Sequence, residues 1–307
     1  MRTRPNVRRM ADLGFDGKVA IITGAGGGLG RQHALLLASR GAQVVINDLG
    51  GSVSGEGGGN EGPAHTTAKE IEDLGGVAIA NTDSVATAAG GEAIVQSAVD
   101  AWGRVDIVIN NAGILRDKTF HNTTEEFVDP VIAVHLKGAF NVTRPAWIKM
   151  REQGYGRVVN TTSGSGLFGN FGQANYAAAK MGLVGLTRVL ANEGKKYNIK
   201  ANAIAPIAWT RMTAELMPGM EDKLKPELIS PLVAYLVHED CPVTGEVYTV
   251  AGGYVARVFL GVTNGIFEGE NLSPEVVRDK FDQIRDEQDY YVPESPGDEM
   301  SRIFPKL

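Results

Sequence analysis

The 307-residue chain predicts an open, doubly wound α/β fold: one parallel sheet of seven strands with helices on both faces, followed by a C-terminal extension. Three observations predict it. Short, β-branched apolar runs alternate with longer helical stretches as far as residue 253, the signature of repeated βαβ units. Glycine is abundant, at 39 residues, as tight βα turns require, while aromatic residues make up only 7%. The first strand runs directly into a glycine-rich turn that opens the first helix.

Each element has a local reason. Residues 18–23 (KVAIIT) are a buried strand, and RQHALLLASRG is a helix closed by Gly41. QVVIND is the second strand, ending at Asp48, so a right-handed crossover joins a parallel pair. Residues 50–63 are glycine-rich and low in complexity, which predicts a mobile surface loop before the helix HTTAKEIEDLGG. Alternation resumes with VAIAN, a helix over GGEAIVQSAVDAWG, the strand DIVIN, and one long helical stretch from Glu125 to Met150. RVVNTT, the helix after Gln173, KANAIA, a helix over 226–238 and EVYTV complete the seven strands. The folded domain is thus expected over 15–253.

Residues 1–14 read as a flexible basic tail, with Arg2, Arg4, Arg8 and Arg9 ahead of the first acid. Residues 254–307 read as an extension packed on the domain or across a subunit interface. Within it RVFLGVTNGIF is an extended or hairpin segment. Ser273 and Pro274 start a helix by cap chemistry, and Val277, Phe281 and Ile284 give that helix an apolar face.

Composition narrows the function classes. A net charge of −6, more negative still beyond the basic tail, argues against nucleic acid. No apolar run reaches the roughly 18 residues of a membrane span. The N-terminus has no apolar secretory core, and the single cysteine, Cys241, fits a reducing compartment, so a cytoplasmic location is expected. The five histidines show no metal-ligand spacing, so no metal is expected. The final Pro-Lys-Leu resembles a peroxisomal address only loosely.

Two stretches carry candidate chemistry. In TGAGGGLG, Gly24, Gly28 and Gly30 would let backbone approach a pyrophosphate at a helix N-terminus. Asp48 closes the second strand, where a carboxylate accepts bonds from both ribose hydroxyls and repels a 2′-phosphate. No Lys or Arg lies within Ala25–Gly28 or directly after Asp48, so the expected cofactor is NAD rather than NADP. The second stretch is TTSGSGLFGNFGQANYAAAK. Tyr176 and Lys180 stand at i and i+4 on one helix face, so an ammonium group should lower the phenol pKa from about 10. Ser163, at the end of a strand, could offer its hydroxyl to the same reacting oxygen.

These residues resemble the short-chain dehydrogenase/reductase family, with its Rossmann-type sheet. TGAGGGLG, Asp48, Asp83, NNAG (110–113), Ser163, Tyr176-x3-Lys180 and Asn202-Ala-Ile-Ala-Pro206 follow in order over about residues 16–253. The resemblance implies that Gly24, Gly28, Leu29 and Gly30 line the pyrophosphate and Asp48 holds the adenosine ribose. It places Asp83 and Ser84 at the adenine and Asn111, Ala112 and Gly113 under the cofactor, with Pro206 to Thr210 at the nicotinamide. Tyr176 would be the base, Lys180 the ribose contact that lowers its pKa, and Ser163 the substrate-oxygen contact. Ser165, Leu167, Phe168, Trp209, Met212 and Leu216 would shape a largely apolar substrate pocket, although Leu216 could equally serve packing.

NDLGG with its insertion, NNAGILRD, VHLKGAF and SGLFGNFGQANY resemble a narrower subgroup, the (3R)-hydroxyacyl-CoA dehydrogenase units of type 2 multifunctional enzymes and their stand-alone bacterial relatives. In those enzymes hydratase and sterol-carrier domains follow; 307 residues leave no room for them, so hydration is expected from another protein. The family's usual active-site asparagine falls at His135, a residue that could join a proton relay or merely fill space. The usual Pro-Gly is Pro206-Ile207. The substrate stays open between an acyl-CoA and a steroid ring alcohol, the latter as in a 17β-hydroxysteroid dehydrogenase. A catalytically silent cofactor-binding protein is the third reading. The resemblance also implies a homodimer or homotetramer.

Overall fold

A computed structural model of the protein describes residues 13–57, 62–215 and 217–307. Most of the basic tail, residues 58–61 of the glycine-rich insertion and Leu216 lie outside the described residues. Two compact units emerge, one ending at Arg257 and the other running from Val258 to Leu307.

The first unit is built on strands β1 (Val19–Thr23), β2 (Gln43–Asn47), β3 (Val77–Asn81), β4 (Ile107–Asn110), β5 (Gly156–Thr161), β6 (Ile199–Ile207), β7 (Val247–Ala251) and β8 (Tyr254–Val258). Their order across the sheet is β3-β2-β1-β4-β5-β6-β7-β8. The first seven pair in parallel, and the order reverses at β1, where β2 and β4 flank it. Such a reversal opens a crevice at the carboxyl ends of the strands.

The sheet therefore has eight strands, not the seven expected. Gly252 and Gly253, at φ +51° and +88°, make a two-residue turn that folds β8 back antiparallel. Left-handed φ at both central positions matches the twist of a hairpin, and only glycine takes it without strain. The eighth strand lay in the segment read as extension.

Period-2 alternation fills both faces. Ala20 and Ile22 of β1 join the core under helices α1 (Gly28–Ala38), α2 (Gly62–Asp73) and, far ahead in sequence, Ser230–Val237. Val19 and Ile21 face the other core, under α3 (Ala88–Trp102). Each valine or isoleucine so buried contributes roughly 1.5–3 kcal/mol.

The long helix expected over 125–150 is three pieces: α4 (Glu125–Ile132), a π-turn over Ala133–Lys137, and α5 (Gly138–Gln153). Pro130 removes a donor inside α4, and the wide turn that follows carries His135 inward. A short helix, α6 (Gly164–Phe168), precedes α7 (Ala174–Gly194), the expected helix of Tyr176. The last helix of this unit is α8 (Ser230–Val237).

The described part of the glycine-rich insertion is not a free loop. Ser52 N–H donates to Glu56 O, Gly55 N–H to Ser52 O, and Leu115 N–H to Val53 O at 2.9 Å. Glycine-rich composition predicted a mobile loop; it carried no sign of the turn bonds or of the neighbouring chain that pins them.

The second unit carries α9 (Pro274–Asp279), α10 (Phe281–Ile284) and α11 (Pro296–Ile303). Ser273 caps α9 as expected, its Oγ accepting from Val276 N. The apolar face breaks at Lys280, and Phe281 is half exposed. Within this unit, Phe259 stacks on Tyr290, and Val262 bridges Tyr291.

Candidate active site

A cleft of about 420 Å³ opens over the carboxyl ends of β1, β2 and β4. Ten of the expected cofactor residues line it: Gly24, Gly28, Leu29, Asp48, Asp83, Ser84, Asn111, Ala112, Gly113 and Thr210. Glycine is demanded by geometry at two points. A Cβ on Gly24 would stand 2.8 Å from Ala112 Cα, and one on Gly30 would stand 2.4 Å from Gly24 O. Gly30 therefore does not line the cleft; it lets α1 start against the turn. Asn111 ties the same turn together, donating from Nδ2 to Thr23 O at 3.0 Å and Gly24 O at 3.1 Å.

Asp48 sits at the end of β2, with Oδ2 accepting from Gly26 N at 2.9 Å and Oδ1 from Gly50 N at 2.8 Å. Each oxygen keeps a further lone pair toward the cleft. Asp83 is held by Asn81 Nδ2 at 2.8 Å. A backbone cradle at a helix N-terminus, closed on one side by a carboxylate, fits the phosphates and ribose of a dinucleotide. Sequence reasoning missed the far wall: Leu49, Ser52, Val53, Gly55, Ile114 and Pro130 also line the cleft, as does Arg211. The glycine-rich composition of 50–57 was visible; its docking on 114–116 was not.

The second group lies deeper and outside the cleft's lining. Lys180 is 3% exposed and donates from Nζ to Thr161 O at 2.6 Å. Its Nζ stands 5.5 Å from the centroid of the Tyr176 ring, on the same face of α7. Burial with no carboxylate partner pushes its pKa down to about 7. Tyr176 behaves differently from expectation. Burial raises its phenol above the ordinary range, the Ser163 hydroxyl pulls it down, and Asp117 adds to the rise. Desolvation of the phenolate decides the direction.

Ser163 is the N-cap of α6; its Oγ accepts from Ser165 N at 3.1 Å. The cap uses a lone pair and leaves the hydroxyl proton free to donate. Asn175, unremarked in the sequence, anchors the start of α7. Its Nδ2 donates to Arg116 O at 2.9 Å and Phe127 O at 2.7 Å, and its Oδ1 accepts from Tyr176 N.

His135 is buried between these groups. Its ring meets the Tyr176 ring edge-on at 5.1 Å, and Nε2 lies 2.8 Å from Ile114 O and 3.0 Å from Ile114 N. Nδ1 is buried without a partner beside a void of about 10 Å³ that Lys180 also lines. Burial and Lys180 hold its pKa well below the ordinary value, so the ring is neutral.

The expected substrate residues are not gathered in the cleft. Phe168 is 76% exposed. Ser165 lies on α6, and Trp209 is half-buried with its indole Nε1 buried and unpartnered. Pro206 falls on β6, behind the cleft wall at Thr210. Met212 does line the cleft.

The short chain dehydrogenase family profile matches residues 18–221, a span that holds the glycine cradle, Asp48, Ser163, Tyr176 and Lys180. The chain belongs to the short-chain dehydrogenase family.

This short-chain dehydrogenase is 52% identical over 274 residues to a short-chain type dehydrogenase/reductase from Mycobacterium tuberculosis, covering 89% of this chain and 96% of that one. It is 48% identical over 278 residues to the peroxisomal multifunctional enzyme type 2 of Mus musculus, covering 89% of this chain. It spans only 37% of that enzyme's length. A hydroxyacyl-CoA dehydrogenase, ChsB1, from Mycobacterium tuberculosis is 39% identical, with 83% of each chain covered. Among solved structures, the full-length peroxisomal multifunctional enzyme type 2 from Drosophila melanogaster superposes with a TM-score of 0.81 at 35% identity. That match covers 95% of this chain and 50% of that one. A 7α-hydroxysteroid dehydrogenase complexed with NADH and 7-oxo-glycochenodeoxycholic acid superposes with a TM-score of 0.70 at 30% identity, covering 78% and 95%.

Proposed function

We propose that this dehydrogenase oxidises a (3R)-3-hydroxyacyl-CoA to the 3-oxoacyl-CoA with NAD, in the breakdown of fatty acyl chains or sterol side chains. The observation that carries the reading is the pairing of a dinucleotide-shaped cleft, walled by Asp48, with buried Lys180 and half-buried Ser163 and Tyr176. The named activity of the hydroxyacyl-CoA relative and the likeness to type 2 multifunctional enzymes support the substrate class. The NADH in the hydroxysteroid dehydrogenase supports the cofactor.

Gly24, Gly28 and Leu29 would hold the pyrophosphate, Asp48 the adenosine ribose, Asp83 and Ser84 the adenine, and Thr210 the nicotinamide end. When bound, NAD supplies the hydride acceptor. Ser163 donates its free hydroxyl proton to the substrate oxygen, which positions it against the Tyr176 Oη. Tyr176, as phenolate, removes the hydroxyl proton, and Lys180 in its protonated form stabilises that phenolate. Burial keeps water from competing for the proton. His135 serves as a neutral wall that packs Tyr176 against the Gly113–Ile114 backbone; its depressed pKa suits no proton relay. Phe140 and Ile148 on α5 and Val189 on α7 are exposed apolar side chains that suit a homodimer or homotetramer.

A second reading, oxidation of a steroid ring alcohol, is favoured by the likeness to the 7α-hydroxysteroid dehydrogenase. One assay separates them. NADH formation is followed with (3R)- and (3S)-hydroxyacyl-CoA of several chain lengths and with a 17β-hydroxysteroid. Turnover of the (3R) thioester is expected. Turnover of the steroid alone overturns the first reading, and no turnover of any of them leaves a protein that only binds the cofactor.

A further inference from the structure

The strand order puts the ends of β2 and β4 on opposite sides of β1, with the glycine turn between them. Residues 49–57 leave β2 at Asp48 and reach the chain that leaves β4. They cross the mouth of the cleft to do so, and Leu49, Ser52, Val53 and Gly55 line it.

Three contacts close this strap. Leu115 N–H donates to Val53 O at 2.9 Å. Arg116 Nε donates to Ser54 O at 2.9 Å, while its Nη1 donates to Glu126 O at 2.9 Å. Gly55, at φ +81°, lies so close that a Cβ would stand 3.0 Å from Ile114 Cδ1. The strap is also braced internally by Ser52 Oγ, which accepts from Glu56 N at 3.0 Å. Nothing in this set serves the sheet or either core. Half-buried Arg116 spends its guanidinium on two backbone carbonyls, one on the strap and one at α4, with no carboxylate partner among the described residues. A planar fork with fixed donors is suited to holding two chain segments at a set distance.

The backbone of Arg116 also meets the start of the Tyr176 helix. Arg116 O accepts from Asn175 Nδ2, and Asn175 Oδ1 accepts from Tyr176 N. A strap locked to Leu115–Arg116 is therefore one residue removed from the start of the Tyr176 helix.

We infer that Arg116 is a positioning residue that latches strap 49–57 across the cofactor cleft, so that release of the reduced cofactor requires the latch to open. This rests on the reading of the cleft as a dinucleotide site. A bound dinucleotide sits beneath the strap; its departure rate is set by how often Arg116 lets go of Ser54. The latch acts on cofactor residence and leaves the hydride step, performed at Tyr176, nearly unchanged.

The test is stopped-flow release of NADH from the full-length protein, chased with excess NAD, in parent, Arg116→Met, Arg116→Lys and Gly55→Val. Loss of one charge-assisted hydrogen bond predicts release about tenfold faster in Arg116→Met. Arg116→Lys, which keeps the charge but not the fork, is expected to lie between. Gly55→Val lifts the strap by backbone strain at φ +81° and by collision with Ile114, and is expected to speed release without touching Arg116. In the two Arg116 variants single-turnover oxidation should change less than threefold, and KM for NAD should rise with the release rate. Amide hydrogen exchange over 50–57 should accelerate in the variants while the strands of the sheet keep the parent's protection; a variant merely destabilised would lose protection throughout. Should Arg116→Met not fold, Gly55→Val decides. Release within twofold of the parent in the folded variants overturns the latch alone. A parent that binds neither NADH nor NADPH overturns the cofactor reading, and the latch with it.

Discussion

The cleft and the proton-transfer group are neighbours built on opposite principles. The cleft is made of backbone: glycines without a Cβ, amide hydrogens at the start of α1, and one carboxylate held by two N–H groups. The proton-transfer group is made of side chains largely taken out of water; burial moves Lys180 down to about 7 and, with Asp117 adding to it, moves Tyr176 up. Recognition here is a matter of space and hydrogen-bond donors, whereas reactivity is a matter of desolvation. Damage to the first should appear in cofactor affinity, and damage to the second in turnover and pH dependence.

The largest effect tests that division most directly. Tyr176→Phe removes the base and should lower kcat/KM by ~10²–10⁴-fold while leaving the NADH dissociation constant within threefold. Residual activity within tenfold of the parent would mean that the base lies elsewhere. The converse is Asp48→Ala, which removes the ribose acceptor and the charge that repels a 2′-phosphate. KM for NAD should rise about tenfold or more, with kcat changed little and the preference over NADP reduced. A fall in kcat at unchanged KM would erase the distinction between the two regions.

The smallest effect is on stability. Lys180 has a folded pKa of about 7 against 10.5 for the free side chain. Between those values the unfolded chain holds the proton more tightly, so this group makes stability rise with pH through that window. The slope is at most ~1.4 kcal/mol per pH unit. Below about pH 7 both states are protonated, and the penalty of the buried charge is present in full. Urea unfolding at pH 7.5 and 9.5 should show that rise in the parent and lose it in Lys180→Met. Equal slopes in the two proteins would show that the amine is solvated.

The same contrast explains what could be read in the residues alone. Of the ten expected residues that line the cleft, seven were implied by the family resemblance, whereas Gly24, Gly28 and Asp48 could be placed at one cleft because a βα turn with its glycines and an acid at the next strand's end is a local pattern. The i,i+4 pairing of Tyr176 with Lys180 was legible for the same reason. The direction of the Tyr176 shift was not, since it depends on how much protein covers the ring. The eighth strand escaped because its signal is a glycine pair, Gly252-Gly253, at the point where a domain seemed to end. The π-turn at 133–137 escaped because Pro130 sits inside a helix without stopping it. The strap escaped because glycine-rich composition describes freedom of the chain, and its partner, Leu115–Arg116, is about sixty residues away.

One consequence of the buried lysine reaches beyond rate and stability. With its pKa brought down to about 7, Lys180 exchanges its proton in the physiological range, so that protonated and neutral forms coexist. Any ligand whose acceptor oxygens favour the ammonium draws the mixture to one side by taking a proton from the medium. The heat of binding measured in a calorimeter then contains the ionisation enthalpy of the buffer, and titrations in phosphate and in Tris differ by the number of protons that Lys180 takes up multiplied by the difference between the two buffers' ionisation enthalpies.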